Sequence, residues 1–363
     1  MNTNNPFTTT PGIAGEAYID NNYANEIIQS FESKYSTQYV YKILGQRGSG
    51  KSVEYAKVMN HFSLKDKEWK VYGLSSGGDP IQVWLSALSR EPEIDSLVAS
   101  TEISENVEGG GSLFGMVEAK GTLSHTVSKT PNPHFFSDED SLEYMCETLC
   151  IKGYKILIGI DDIVKTPNTI RFLSIVGKLL LNGKINLHFV CTGLYKNIED
   201  FTNEAHLSFF VRPASLVVDG LGEISISLMY QKLLGLDAKK ALEYAKITMG
   251  YAWGYQLLGY ILFNKGKDTP MPEILEEFDS EMAQTYDLIW NSMTDAEQKL
   301  VKIIAETSSE KREDIEAKME KTGYDSLRQR LSSKHIIKAY KIGTTGYVKI
   351  LLPRYKEYIE AWH

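Results

Sequence analysis

The segment Gly45-Gln46-Arg47-Gly48-Ser49-Gly50-Lys51-Ser52 constrains this chain more than any other, because it matches the pattern G-x-x-x-x-G-K-[ST]. Each residue type has a physical reason. The glycines let the backbone turn tightly with its N–H groups pointing inward, which makes a nest for an anion. A helix that starts at the end of the loop adds the partial positive charge of its N-terminus. Lys51 supplies a point charge for phosphate oxygens, and the Ser52 hydroxyl can ligate a magnesium ion. The flanks agree: the apolar run Tyr39–Leu44 predicts a buried strand, and the amphipathic stretch Ser52–Phe62 predicts a helix.

The first half continues the alternation. Strands are predicted over Lys70–Ser75, Ile156–Asp161, Leu187–Thr192 and Leu216–Asp219, and helices over Pro80–Ser89 and Thr169–Leu181. Such alternation means an α/β fold with a parallel sheet covered on both faces. The stretch Glu105–Ser128, with three consecutive glycines followed by period-two alternation, reads as a β-hairpin insertion or a surface loop. From Ser225 to about Lys265 the period becomes helical, and Lys265–Pro272 has the Gly/Pro composition of a linker.

A phosphate site also needs a carboxylate for the metal, and the strand Ile156–Ile160 ends on Asp161-Asp162. Asp161 is placed to hold magnesium through water, and Asp162 is the candidate base that orients an attacking water. Together with the strand Leu187–Thr192, these segments resemble the Walker A, Walker B and sensor-1 elements of the AAA+ and STAND ATPases. The resemblance is nearest to the prokaryotic branch similar to origin-recognition initiators. It implies that Gly45 to Ser52 and Val53 hold ATP or ADP, that Ser52 and Asp161 hold Mg2+, and that Thr192 reports on the terminal phosphate. Phe209-Phe-Val-Arg212-Pro falls where AAA+ proteins carry an arginine finger, and Met249-Gly-Tyr-Ala252 resembles the lid motif of STAND proteins. A finger at Arg212 would imply a homo-oligomer; the alternative is a structural arginine paired with an acid at a helix end. Arg47 reads as a structural or partner contact.

Two departures stand out. Asp162 replaces the usual Glu, one methylene longer, which predicts slow turnover, since an ångström of displacement can cost on the order of 100-fold. Ala252 replaces a Pro, and no sensor-2 arginine follows it.

The implied organisation is a nucleotide-binding domain over 15–222, a helical lid over 223–268 and a winged helix over 273–363. The last of these has its own charge. Between Lys311 and Lys356 there are 12 Lys and Arg against 5 Asp and Glu, in a chain of net charge −8. Helices are predicted over Thr294–Ala305, with Thr294 and Glu297 as a capping box, over Asp314–Glu320, and over Leu327–His335. Strands Ile337–Ile342 and Tyr347–Leu352 flank a wing-like turn at Gly343–Gly346. Arg328, Arg330 and Lys334 on the third helix are candidates for duplex DNA contact. The alternative is a module that packs on the nucleotide domain and binds no DNA.

Three cysteines, Cys146, Cys150 and Cys191, are too few for a disulfide framework and fit a reducing cytoplasm. The polar first fifteen residues carry no leader pattern, and no apolar run approaches the ~20 residues of a membrane helix. The leading expectation is an ATP-dependent conformational switch with slow hydrolysis. A DNA-binding regulator or initiator is the second, and a STAND-like signalling scaffold the third.

Overall fold

The computed structural model describes residues 5–94, 137–213, 215–319 and 323–363. The expected insertion at Glu105–Ser128 lies outside them.

Strands β1 (Val40–Leu44), β2 (Trp69–Ser75), β3 (Lys155–Asp161), β4 (Leu187–Gly193) and β5 (Ser215–Val217) form one parallel sheet in the order β2-β3-β4-β1-β5. Every residue of β1 and β4 is buried. That is the reason their sequences are mainly apolar, broken only by Lys42 in β1 and by His188 and Thr192 in β4: both faces of a parallel sheet are covered by helices. Helices α1 (Tyr23–Glu32) and α2 (Lys51–Ser63) cover one face through Ile27, Phe31 and Phe62. On the other lie α3 (Pro80–Leu88), α4 (Asp138–Ile151) and α5 (Pro167–Leu181), which contribute Trp84, Met145 and Phe172. Local chemistry starts these helices. Asp79 caps α3 ahead of Pro80, and Thr166 and Thr169 form a capping box on α5. Two short helices, α6 (Tyr195–Glu199) and α7 (Ser208–Val211), lead from β4 to β5.

The order of strands places the functional elements. β4 lies between β1 and β3, so the loop after β1, the end of β3 and the end of β4 converge at the carboxyl edge of the sheet. The connections leaving β1 and β4 run toward opposite edges of the sheet, and open α/β sheets bind ligands at the crevice where the strand order reverses.

The remaining elements are helical except for one hairpin. Helices α8 (Glu223–Leu234), α9 (Ala238–Ile247) and α10 (Ala252–Lys265) follow the sheet. Then come α11 (Met271–Asn291), α12 (Asp295–Glu306), α13 (Arg312–Glu316) and α14 (Tyr324–Ser333), strands β6 (Ile337–Ile342) and β7 (Thr345–Ile350), and α15 (Tyr355–Trp362). A single buried cluster runs from Ile226 through Phe278 and Tyr286 to Ile359, so the two groups of helices share one core. Of the stretch read as a linker, residues 266–270 form the short turn between α10 and α11, and Lys265, Met271 and Pro272 belong to those helices.

Several boundaries differ from the sequence reading. Helix α13 covers Arg312–Glu316 where Asp314–Glu320 was expected. Strand β7 starts at Thr345, because Tyr340 pairs with Tyr347 and Ile342 with Thr345; this pairing leaves only Gly343 and Thr344 to turn the chain. Helix α11 went unread, although Ile274, Phe278, Met282, Tyr286 and Trp290 bury one face at four-residue spacing. Helix α15 was also missed.

Candidate functional site

Strand β1 delivers the chain into the glycine-rich loop, and α2 leaves it at Lys51. Gly48 has φ +71° and Gly50 φ +99°, in the left-handed region where a side chain strains the backbone. Lys51 is only 8% exposed, and its ammonium donates to the Gln46 carbonyl at 2.7 Å. Burial pushes its pKa down to about 8; the carboxylates of Asp162 and Asp161 oppose the shift and Arg47 adds to it.

The carboxylate expected at the end of β3 is in place beside this loop. Asp161 accepts hydrogen bonds on one oxygen from the Ser52 hydroxyl at 3.1 Å and from the Thr192 hydroxyl at 2.5 Å. Thr192, wholly buried at the end of β4, in turn accepts the backbone N–H of Asp162 at 2.7 Å. One short chain of hydrogen bonds therefore joins the start of α2 to the ends of β3 and β4. Asp162 has φ +53°, a conformation that costs a residue with a Cβ about 1 kcal/mol. The Ser76 hydroxyl, which donates to the Asp162 carbonyl at 3.0 Å, helps to hold it. Ser76 was not anticipated; it follows β2, a strand that carries no recognisable motif.

The helical segment expected as the lid packs directly on the loop. The Tyr251 hydroxyl donates to the Arg47 carbonyl at 2.6 Å, and the Trp253 N–H donates to the Gly48 carbonyl at 2.9 Å. Arg47 is thus a contact to the lid through its backbone. The turn at Met249-Gly250 brings the lid there, with Leu221 N–H donating to the Gly250 carbonyl at 2.7 Å. A Cβ on Gly250 would lie 2.5 Å from the Leu221 carbonyl oxygen, so the position needs glycine.

A cavity of about 330 Å³ runs from Lys51 and Ser52 along Val218 and Leu221 to Trp253 and Gln256 on α10. Its outer wall is the N-terminal segment, including Pro11, Ile13 and Asn21. This segment is fastened at both ends. Phe7 is buried against Tyr230 and Tyr255 of the lid, and Tyr255 and Gln256 both donate to the Ala17 carbonyl, at 2.7 and 3.2 Å. On the sheet side, Tyr18 donates to buried Glu54 of α2 at 2.5 Å, and Lys57 pairs with Asp20 at 2.9 Å. Residues before 15 were excluded from the domain on sequence. Their polar, aperiodic composition carries no signal for a strap whose partners lie more than 200 residues away.

The other anticipated residues are dispersed. Val53 follows Ser52 in the first turn of α2 and lines the cavity. Arg212 caps the C-terminal end of α7, exposed, and no carboxylate pairs with it among the described residues. The buried ammonium of Lys42 anchors that turn, donating to the carbonyls of Phe210 at 2.7 Å and Val211 at 3.0 Å. The three basic residues of α14 do not form one free face. Lys334 is tied to Glu297 at 2.7 Å, and Glu297 is 1% exposed; this lysine neutralises a buried carboxylate and is not free for DNA. Arg328 pairs with Asp325 at 3.0 Å. Arg330 is exposed, with no ion pair among the described residues.

Among the described residues no helix is long and apolar enough to cross a membrane, and no cluster of three or more His, Cys, Asp or Glu could hold a metal.

The sheet order, the glycine-rich loop and the aspartate at the end of β3 define the fold of an AAA+-type P-loop ATPase. Solved structures share it across nearly the whole chain. The Walker-type ATPase of Pyrococcus abyssi is 12% identical, covers 98% of this chain and 99% of its own, and superposes with a TM-score of 0.62. The ORC2 protein of Aeropyrum pernix, described in ADPNP–ADP complexes, is 14% identical, covers 94% and 96%, and has a TM-score of 0.55. No family model and no curated protein sequence matches the chain.

Proposed function

We propose that this chain binds ATP with Mg2+ and hydrolyses it slowly, using the nucleotide to set the position of the lid and the C-terminal helices. The observation that carries the reading is the hydrogen-bonded chain Ser52–Asp161–Thr192–Asp162 beside buried Lys51. It joins the groups that would touch the metal, the terminal phosphate and the attacking water. The known nucleotide chemistry of similarly folded proteins supports it: one carries the name of an ATPase and another is described with ADPNP and ADP.

The residues suit their roles. Lys51 leaves the Gln46 carbonyl to meet the β and γ phosphates, while the loop N–H groups cradle them. The Ser52 hydroxyl and the Asp161 carboxylate are hard oxygen donors, the kind Mg2+ takes alongside phosphate and water. The metal, when bound, neutralises charge that develops on the phosphate oxygens. Thr192 can exchange its bond to Asp161 for one to the terminal phosphate. Asp162 would orient the water, with a carboxylate one methylene shorter than glutamate.

Self-assembly is a second reading, favoured by Arg212, which is exposed and has no ion pair among the described residues. Duplex DNA contact is weaker, since of the three α14 candidates only Arg330 lacks an ion pair among the described residues.

Titration with ATP and ADP tests the main reading. Wild type should bind both with Mg2+, and Lys51→Ala should lose at least about 100-fold in affinity. Equal binding by the variant would remove the assignment. Steady-state turnover with and without DNA then separates the switch from a DNA-dependent activity.

A further inference from the structure

A second, larger groove of about 940 Å³ adjoins the first at Ser49, Val218 and Leu221 and lies between the glycine-rich loop and the C-terminal elements. Gln46 and Ser49 line it from the loop, Asp219 from the end of the sheet, and Arg328, Lys338 and Lys349 from α14, β6 and β7. Arg328 is paired with Asp325, which leaves Lys338 and Lys349 against Asp219 and a net positive charge in the groove.

Two features of the walls suit an anion, although the Lys349 ammonium also lies 6.0 Å from the centroid of the Tyr340 ring. Lys338 and Lys349 are directly opposite each other in the β6–β7 register, hence on the same face of the hairpin. Like charges opposite each other across two strands are destabilising, and neither lysine has a carboxylate partner among the described residues. The second feature is a set of buried oxygens. The Oε1 of Gln46 and the Oγ atoms of Ser49 and Ser332 are shielded from solvent without a hydrogen-bond partner, and all three residues line this groove. Native proteins leave few such groups unless a ligand or water meets them. The two serine hydroxyls can donate to an anion, whereas the Gln46 Oε1 accepts and suits a water or a protonated oxygen beside it.

We infer that this groove is a phosphate-recognising site in which Lys338, Lys349 and Arg328 of the C-terminal elements read a phosphate group next to the glycine-rich loop. The phosphate has two sources with the same chemistry: the terminal phosphate of a nucleotide held at Lys51, or a separate polyphosphorylated ligand. In the first case the inference rests on the nucleotide reading above and supplies, from outside the lid, the cation that the lid itself lacks. Arg328 would exchange Asp325 for the phosphate.

The test compares wild type, the double variant Lys338→Ala/Lys349→Ala, and Lys341→Ala as control. Lys341 pairs with Gly346, on the opposite face of the hairpin. Calorimetry gives Kd for ATP, for ADP, and for inorganic tripolyphosphate added to protein preloaded with ADP. Circular dichroism and thermal melts verify that the variants fold. If the nucleotide is the source, the double variant loses at least about fivefold in ATP affinity relative to ADP. If a separate ligand is the source, ADP-loaded wild type binds tripolyphosphate and the double variant does not. Lys341→Ala should match wild type in both arms. A folded double variant with an unchanged ATP-to-ADP ratio and unchanged response to tripolyphosphate would overturn the inference, even if Lys51→Ala abolishes nucleotide binding. Should wild type bind no nucleotide, the nucleotide reading fails separately, and tripolyphosphate binding to the unloaded proteins decides the groove alone.

Discussion

The hydroxyl of Tyr251 donates to the backbone carbonyl of Arg47 at 2.6 Å, which latches the start of the lid helix to the tip of the glycine-rich loop. The latch is tight enough that a Cβ on Gly48 would collide with the same hydroxyl and with Trp253. Two hydrogen bonds, from Tyr251 and from the Trp253 N–H, therefore join loop and lid at this point. A ligand that reshaped the loop would act on these bonds, which is the kind of coupling a nucleotide switch requires.

Substituting Gly48→Ala should disrupt both partners. It adds a Cβ at φ +71° and pushes on Tyr251. We expect a loss of about 1–3 kcal/mol in stability and at least tenfold weaker ATP binding. Tyr251→Phe removes only the hydrogen bond, at about 1 kcal/mol, and should leave the loop intact while changing the ATP-to-ADP preference. Urea denaturation and nucleotide titration separate the two.

Nucleotide affinity should depend on pH through Lys51. Its pKa in the free protein is pushed down to about 8, chiefly by burial. Phosphate binding requires the ammonium form and raises the pKa again. Below pH 8 the lysine is already protonated and Kd should be flat. Above pH 8 the protein must take up a proton to bind, so Kd should rise toward tenfold per pH unit. Measurements from pH 7 to 9.5 check this; a flat profile throughout would place Lys51 away from the phosphates.

The ion pair of Lys334 with Glu297 should act on stability. Burial would raise the pKa of Glu297, but the Lys334 ammonium and the Thr294 N–H outweigh it and hold the carboxyl below its usual range. A depressed acid contributes stability above its unfolded value, about 4.3, and loses it as pH falls through the folded value. Lys334→Ala leaves a buried carboxylate unpaired, so we expect a loss of roughly 3 kcal/mol at pH 7. The gap to wild type should narrow below about pH 4. Denaturation at pH 7 and pH 3.5 measures both ends. An affinity for duplex DNA that falls more than stability does would restore Lys334 as a contact.

Different parts of the molecule were legible in the sequence to different degrees, for physical reasons. Gly45–Ser52 is local: its glycines, its lysine and the strand and helix beside it are contiguous, so the residues that shape the loop are the ones that mark it. Asp161 and Thr192 were readable because each ends an apolar run, and two runs of that kind belong to one buried parallel sheet. Ionic and polar contacts between distant segments were not. Lys334 looks like its neighbours Arg328 and Arg330 until the fold sets buried Glu297 beside it.

The sequence by itself determined the phosphate-type loop, the acid at the end of β3 and the α/β class, since these follow from backbone stereochemistry and the burial of continuous apolar strands. Only the tertiary structure decided that residues 8–21 wall the cavity, that Tyr251 latches the lid to the loop, and that Lys338 and Lys349 share a groove with Gln46. Those relationships join segments roughly 200 to 300 residues apart. They are set by how helices and hairpin pack into a common core, and no local pattern records it.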